Sequence, residues 1–329
     1  MYITVLCKVV DNYGDIGVAW RMCRRLAKIQ SKYKICLVVD DMEACSLIAG
    51  SPVDTGGSEA RQSTIIDGIE IFPWHDADFC HKVFSTNDGE RLGIILELFQ
   101  CGRPDWMEKI LFEEKLNRTV QIIMIDYLTA EKYADDFHCL KSLTRSARVQ
   151  KVNFMPGFTE KTGGLIIDNE WKELPPYNKD GPVLEFTYKT KCAYLDNQKL
   201  PFMPQTEWDK MMKQCSVLFV RGEESMSRAC LSGIPFVWQA YPQSEEYQLV
   251  KVRALLERMR PHFAPQDFAV VEEAWMAING EEPFDNPFSK FFEAVPRLVP
   301  SFQSFAQLLR KNGDLCSNLM TFIEKLAII

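Results

Sequence analysis

The sequence predicts an α/β protein of two halves, each built around a parallel sheet, facing one another across a cleft. Three observations predict it. A strand–loop–helix–strand unit fills the first 40 residues, a second such unit recurs beyond residue 183, and a polar, proline-rich stretch separates them. Successive βαβ units build parallel sheets because their crossovers share one hand and cover the sheet faces. At 329 residues the chain also exceeds one ordinary core and suits two.

The elements follow in order. The apolar, partly β-branched run Thr4–Val10 reads as the first strand. Asp11–Gly17 is rich in turn formers. Val18, Met22, Leu26 and Ile29 then recur at helical spacing, with Arg21, Arg24, Arg25 and Lys28 on other faces. Lys34–Val39 is the next strand, and further apolar strands are expected at Gly93–Phe99, Val120–Ile125 and Gln150–Phe154. Asn169–Pro182 is polar and carries Pro175, Pro176 and Pro182, the composition of a linker. Beyond it, Val183–Tyr188 reads as a strand, Thr206–Gln214 as a helix, Ser216–Val220 as a strand and Glu223–Ser232 as a helix stopped by Gly233. Ile234–Gln239 returns as a strand. Two helices are expected to close the chain, around Glu245–Met259 and Phe302–Leu326. The expected division is therefore 1–170, a linker 171–182, a second half 183–312, and a terminal helix 313–329 that packs back on the first half.

Composition excludes several classes. The chain is 47% hydrophobic and 25% charged, as in water-soluble globular proteins. Its apolar runs are far shorter than the ~20 residues of a membrane-spanning helix, so no membrane partner is expected. Met1–Val5 lacks the basic stretch and apolar block of a secretion signal and reads as a strand. A net charge of −7 argues against a nucleic-acid partner, since such surfaces neutralise phosphates with Lys and Arg. Eleven cysteines, an odd number without CxxC spacing, fit reduced thiols and a cytoplasmic location. His75, His81, His138 and His262 form no metal-ligand pattern, and the close pair His75/His81 reads as a solvated loop. Asp40-Asp41 reads as a turn after a strand. No metal and no cofactor are expected.

Three loops carry candidate chemistry. Asp11-Asn12-Tyr13-Gly14-Asp15-Ile16-Gly17 joins the first strand to the first helix. Gly14 and Gly17 permit a tight turn and close approach of a ligand to a helix N-terminus, whose free N–H groups favour anions. Asp11 and Asp15 suit a general base or a cation-holding carboxylate, and equally suit turn formation and helix capping. The GxGxxG dinucleotide pattern is missing here. Arg221-Gly222-Glu223-Glu224-Ser225 again joins strand to helix and offers a glycine, a helix start and a hydroxyl, which suit a diphosphate. Its two acids bind a sugar hydroxyl or merely complement the helix dipole. Third, Leu200–Gln205 offers Phe202 for base stacking and Gln205 for a base edge, with Phe186 and Tyr188 nearby at a strand end, where aromatics also commonly serve as core.

Taken together these loops resemble one family. Val9–Val18 with Trp20-Arg21, then Phe154–Thr159 with Thr162–Leu165, then Phe219–Ser225 with Pro235–Trp238 and Tyr241-Pro242-Gln243, are similar in order to the motifs of the elongation factor P arginine rhamnosyltransferases (EarP). The resemblance spans nearly the whole chain. It implies a GT-B fold of two Rossmann-like domains, with dTDP-β-L-rhamnose as donor held mainly by the second. An arginine of elongation factor P is implied as acceptor, in an inverting reaction without a bound metal. Asp15 matches the family's catalytic base, Asp11 the other important aspartate of that loop, and Glu223 its essential glutamate. Glu224 and Ser225 fall at diphosphate positions, Glu224 where the family usually has Asp. Phe202, Gln205 and Tyr241 match nucleotide-pocket residues, joined by Phe186 and Tyr188. Asn12, Tyr13, Gly14, Gly17, Arg221, Gly222 and Gln243 complete the expected donor site. Lys189–Ala193 does not resemble the family pattern.

The chemistry is coherent. A guanidinium stays protonated near neutrality (pKa above ~12), so an arginine nucleophile needs carboxylates to orient it and take a proton. Departure of a nucleoside diphosphate needs its charge stabilised, which a helix N-terminus supplies. Two other readings stand beside this one. One is a nucleotide-sugar glycosyltransferase with a different acceptor. The other is a catalytically silent nucleotide-binding module that recognises a partner.

Overall fold

The computed structural model describes residues 1–10, 13–29, 32–53, 63–114, 116–188, 203–280 and 286–326. In chain order the first part comprises β1 (Tyr2–Cys7), α1 (Gly14–Ile29), β2 (Lys34–Val39), α2 (Met42–Ala49), β3 (Thr64–Ile66), β4 (Ile69–Pro73), α3 (Ala77–Phe84), α4 (Thr86–Gly89), β5 (Ile94–Leu98), α5 (Asp105–Phe112), β6 (Val120–Ile125), α6 (Tyr133–Phe137), β7 (Lys141–Ser142) and β8 (Val149–Asn153). The second comprises β9 (Val183–Glu185), α7 (Gln205–Gln214), β10 (Val217–Arg221), α8 (Glu223–Ser232), β11 (Phe236–Gln239), α9 (Tyr247–Met259), α10 (Pro265–Ile278), α11 (Pro287–Lys311) and α12 (Leu315–Leu326).

Eight strands form one sheet in the order β3-β4-β2-β1-β5-β6-β8-β7, parallel except for the outermost pairs β3/β4 and β7/β8. The chain winds outward from β1 to β2 and β4 on one side, then to β5, β6 and β8 on the other. The switch point therefore lies between the carboxyl ends of β1 and β5, where open parallel sheets leave a ligand crevice. β9, β10 and β11 form a second, wholly parallel sheet.

Local physics sets the boundaries. β2 is buried from Ile35 to Val39 because helices cover both faces, so its sequence reads as a continuous apolar run. The first strand stops at Cys7 rather than Val10, since its partner β2 ends at Val39, opposite Cys7. The backbone then leaves the sheet: Val9 N–H donates to Asp40 Oδ1 at 2.8 Å and Val10 is exposed. The strand expected over Val183–Tyr188 likewise ends at Glu185. Asp41 caps α2 by accepting from Ala44 N–H at 2.8 Å. His81 lies on α3, not in a loop, with Nε2 2.6 Å from Glu114 Oε1.

The C-terminal helices need the largest correction. Four are present instead of two, because α10 and the first half of α11 were not anticipated. Pro296 and Pro300 punctuate the sequence of α11, yet the helix runs through both, held by Phe291, Leu298, Phe302 and Phe305 in the core of the second sheet. The expected single helix Phe302–Leu326 is broken at Gly313, whose φ of 93° is left-handed. Asp314 then starts α12 by accepting from Ser317 N–H at 3.0 Å. α12 returns to the first sheet and buries Leu315, Leu319 and Ile323 beside α1. No helix among the described residues is long and apolar enough to cross a membrane.

Candidate functional site

The carboxyl ends of both sheets open on one cleft. From the first sheet it is lined by Gly14 and Asp15 after β1, Phe99 after β5, and Asp126 and Tyr127 after β6. From the second it is lined by Gly222, Glu223, Glu224 and Arg228, then by Trp238, Tyr241 and Lys251.

Asp15 stands in the first turn of α1, only 3% exposed, and its Oδ2 accepts from Val10 N–H at 2.8 Å. The carboxylate thus ties the loop back to its own helix start. Phe99 and Gln100 both have φ of 54°, a left-handed backbone that non-glycine residues adopt at a cost. That bend lays Phe99 flat on Tyr127, centroids 4.5 Å apart and planes at 20°. It also brings Gln100 Nε2 to Asp126 Oδ2 at 2.9 Å, while Tyr127 N–H donates to Oδ1 at 2.8 Å, so both oxygens of Asp126 are oriented.

On the opposite wall, Gly222 has φ 69° and ψ 174°, a region open essentially to glycine alone. Its carbonyl accepts from Trp238 Nε1 at 3.1 Å, which pins the turn into α8. Glu223 and Glu224 occupy the first turn of α8, but their fates differ. Glu224 Oε1 accepts from Arg21 Nε at 2.5 Å. Arg21, buried on α1, also holds Asp168 at 2.5 Å and takes Asp209 of α7 through both Oδ2 (2.8 Å) and Oδ1 (3.0 Å). Burial opposes charge on Asp209, yet Arg21 prevails and holds its carboxyl below the usual range. Glu223 instead faces the cleft, paired only loosely with Lys251 Nζ at 3.5 Å. Burial pushes its carboxyl up to about 7; Lys251 opposes the rise, and Asp15 and Asp126 add to it. Arg228, fully buried, donates to Ile166 O at 2.6 Å, and its Nη1 has no hydrogen-bond partner among the described residues.

The sequence-derived candidates separate into groups. Gly14, Asp15, Gly222, Glu223, Glu224 and Tyr241 converge on the cleft. Arg221 lies over Phe186 (4.4 Å) and Tyr188 (4.8 Å), and Tyr188 meets Tyr241 edge-on at 5.5 Å, an aromatic cluster beside Gly222. Phe186 also packs on Trp208 at 4.8 Å. Tyr13 and Gln243 are surface-exposed, and Ser225 is buried inside α8. Gln205 is buried, its Nε2 donating to Gly17 O at 2.6 Å, so both residues serve the contact between α7 and α1 and neither lines the cleft. Asp11, Asn12 and Phe202 lie outside the described residues. Sequence reasoning missed Asp126, Arg228 and Lys251. Asp126 directly follows a recognised strand, and position at a sheet's carboxyl edge was signal enough to find it. Lys251 and Arg228 sit inside helices and carry no local signal. Among the described residues no group of three or more His, Cys, Asp or Glu is placed to hold a metal ion.

A cleft between the carboxyl ends of two parallel sheets, with carboxylates on one wall and a glycine-led helix start on the other, defines the chain as a glycosyltransferase of the GT-B fold. The fold is shared with the Streptomyces glycosyltransferase SsfS6, at 11% identity and a TM-score of 0.51 over 98% of this chain and 99% of that one. It is shared too with the spinosyn rhamnosyltransferase SpnG, at 10% identity and a TM-score of 0.50 over 98% and 100%. The family described as elongation factor P (EF-P) rhamnosyltransferase EarP matches residues 3–180 and 181–324, and the chain belongs to it. Relatives named protein-arginine rhamnosyltransferase include one from Shewanella oneidensis, 26% identical, with 84% of this chain and 84% of that one covered. Another, from Pseudomonas aeruginosa, is 26% identical, with 97% of this chain and 97% of that one covered.

Proposed function

We propose that this enzyme is a protein-arginine rhamnosyltransferase that moves L-rhamnose from dTDP-β-L-rhamnose to an arginine of elongation factor P, with inversion, in the cytoplasm. The observation that carries the reading is the opposition of Asp15 and Glu223 across one cleft, at the start of α1 and of α8. A guanidinium nitrogen attacks the anomeric carbon, the bond from that carbon to the diphosphate oxygen breaks, and dTDP leaves with the electron pair. The proton lost from nitrogen passes to Asp15, while Glu223 holds the remaining N–H groups or a sugar hydroxyl. Free N–H groups at the start of α8 suit the departing diphosphate, and Arg21 favours this by neutralising Glu224 there. Residues 1–170 supply the acceptor side and 183–312 the donor side, where Arg221, Tyr188 and Tyr241 surround Gly222.

Intact-mass measurement of elongation factor P incubated with the enzyme and dTDP-β-L-rhamnose tests the reading: a gain of one deoxyhexosyl unit on a single arginine supports it. Failure to modify the protein while transferring rhamnose to another acceptor would favour the general nucleotide-sugar reading. Binding of dTDP without transfer to any acceptor would favour the silent module. Transfer is expected to survive excess EDTA, because the helix start suits the diphosphate charge. Loss with EDTA and recovery with Mg²⁺ or Mn²⁺ would refute that. Phe202→Ala and Tyr241→Ala are expected to weaken dTDP binding measured by titration calorimetry. Removing one base–aromatic stack costs about 1–3 kcal/mol in nucleic-acid systems. Unchanged affinity in both variants would move the base pocket elsewhere.

A further inference from the structure

We propose that Lys251 is a positioning residue for the transfer, its ammonium holding Glu223 as a carboxylate in the cleft. The proposal rests on the transfer reading above and deepens it at one residue. α9 buries Val252, Leu255 and Leu256 in the core of the second sheet, which fixes the helix and sends Lys251 to the cleft wall. There Nζ stands 3.5 Å from Glu223 Oε1, and each side chain keeps 26% of its surface open. At that distance the hydrogen bond from Nζ to Oε1 is long and weak, so the pair is held mainly by charge.

The charges around Glu223 explain why a cation is needed. Lys251 faces it from α9, Asp15 from α1, and Asp126 from the end of β6. Burial and both aspartates favour the protonated acid; among these neighbours Lys251 alone favours the anion. A guanidinium has only donors, so it needs a carboxylate whose oxygens all accept, and a protonated carboxyl loses part of that capacity. The sign follows. Glu223 already titrates near 7, and removing Lys251 raises it further. The acid form then dominates at neutral pH, so activity falls most at and below neutrality and recovers as pH rises.

Two readouts on the full-length enzyme test this. The first is the rate of transfer to elongation factor P across pH for the wild type, Lys251→Met and Lys251→Arg. The second, independent of activity, is a carbon-13 NMR titration of side-chain carboxyls, with the Glu223 signal assigned by its loss in Glu223→Gln. Lys251→Met is expected to move the acid limb of the rate profile and the Glu223 midpoint upward together, by about one pH unit or more, the scale typical of one nearby opposite charge. Lys251→Arg should restore both, with thermal midpoints alike in all three. An unchanged Glu223 midpoint in Lys251→Met overturns the proposal while leaving the transferase reading intact. So does a loss of rate that is equal at every pH, which would make Lys251 a direct substrate ligand. If the wild type transfers nothing to elongation factor P yet the midpoint shifts, the transfer reading fails and the control of Glu223 by Lys251 stands.

Discussion

Asp15→Asn is expected to lower turnover by ~10²–10⁴-fold, the range typical of losing a general base. The substitution keeps size and preserves an oxygen for the Val10 N–H that Asp15 now accepts at 2.8 Å. The charge and the proton-accepting capacity are removed, and the second oxygen becomes an NH2 donor. Stability should fall by about 1 kcal/mol or less, since one charge in the first turn of a helix is worth roughly 0.3–1 kcal/mol. dTDP affinity should stay near the wild-type value, because the proposed donor contacts lie around Gly222 on the other wall. The competing account makes Asp15 a structural tie between loop and helix, a reading its 3% exposure and its backbone hydrogen bond also support. That account predicts a similar small loss of stability with nearly normal turnover. Rate, melting temperature and dTDP binding on one purified variant separate the two, and near-normal turnover would end the base assignment.

Arg21→Met should be strongly destabilising. Arg21 is 3% exposed, and its guanidinium is the common partner of Asp168, Asp209 and Glu224. Deleting it leaves three carboxylates crowded together with little water to screen them. Removing one member of a buried ion pair costs about 3–5 kcal/mol, a large part of the 5–15 kcal/mol that holds a typical protein folded. Asp209 retains Trp171 Nε1 at 3.0 Å, and Arg228 lies 3.9 Å from Glu224, so the site is weakened rather than emptied of donors. Transfer should suffer as well, because a released Glu224 adds negative charge at the helix start where the diphosphate must leave. Arg21→Lys should fall between, since an ammonium keeps the charge but cannot form the two-pronged contact with Asp209. Urea denaturation of the three proteins measures this. A loss under about 1 kcal/mol in Arg21→Met would show that the node is dispensable.

These two residues mark what was legible. Asp15 announced itself locally: a carboxylate among glycines, between an apolar strand and a periodic helix, has few reasons to be there. Arg21 belongs to the same family-like motif, but its role did not show. On its helix it is one of several basic residues, and solvent is the ordinary destination for such a side chain. Its three partners lie 147, 188 and 203 residues away, so only the folded chain reveals them.

The sequence by itself determined the local elements of both βαβ units. β2, β6 and α8 stand where the apolar runs and the terminal glycine put them. It determined the family as well, since the ordered motifs around Asp15, Pro156 and Glu223 span both halves. Short-range rules suffice there, because strand alternation, helical spacing and left-handed glycine are decided within a few residues. Tertiary structure alone decided the rest. It carried α11 through two prolines because core burial outweighs a broken hydrogen bond, and it returned α12 to the first sheet. It turned Gln205 toward Gly17 and brought Lys251 to Glu223. Each outcome depends on contacts between segments far apart in sequence, whose energies exceed local preference and leave no local trace.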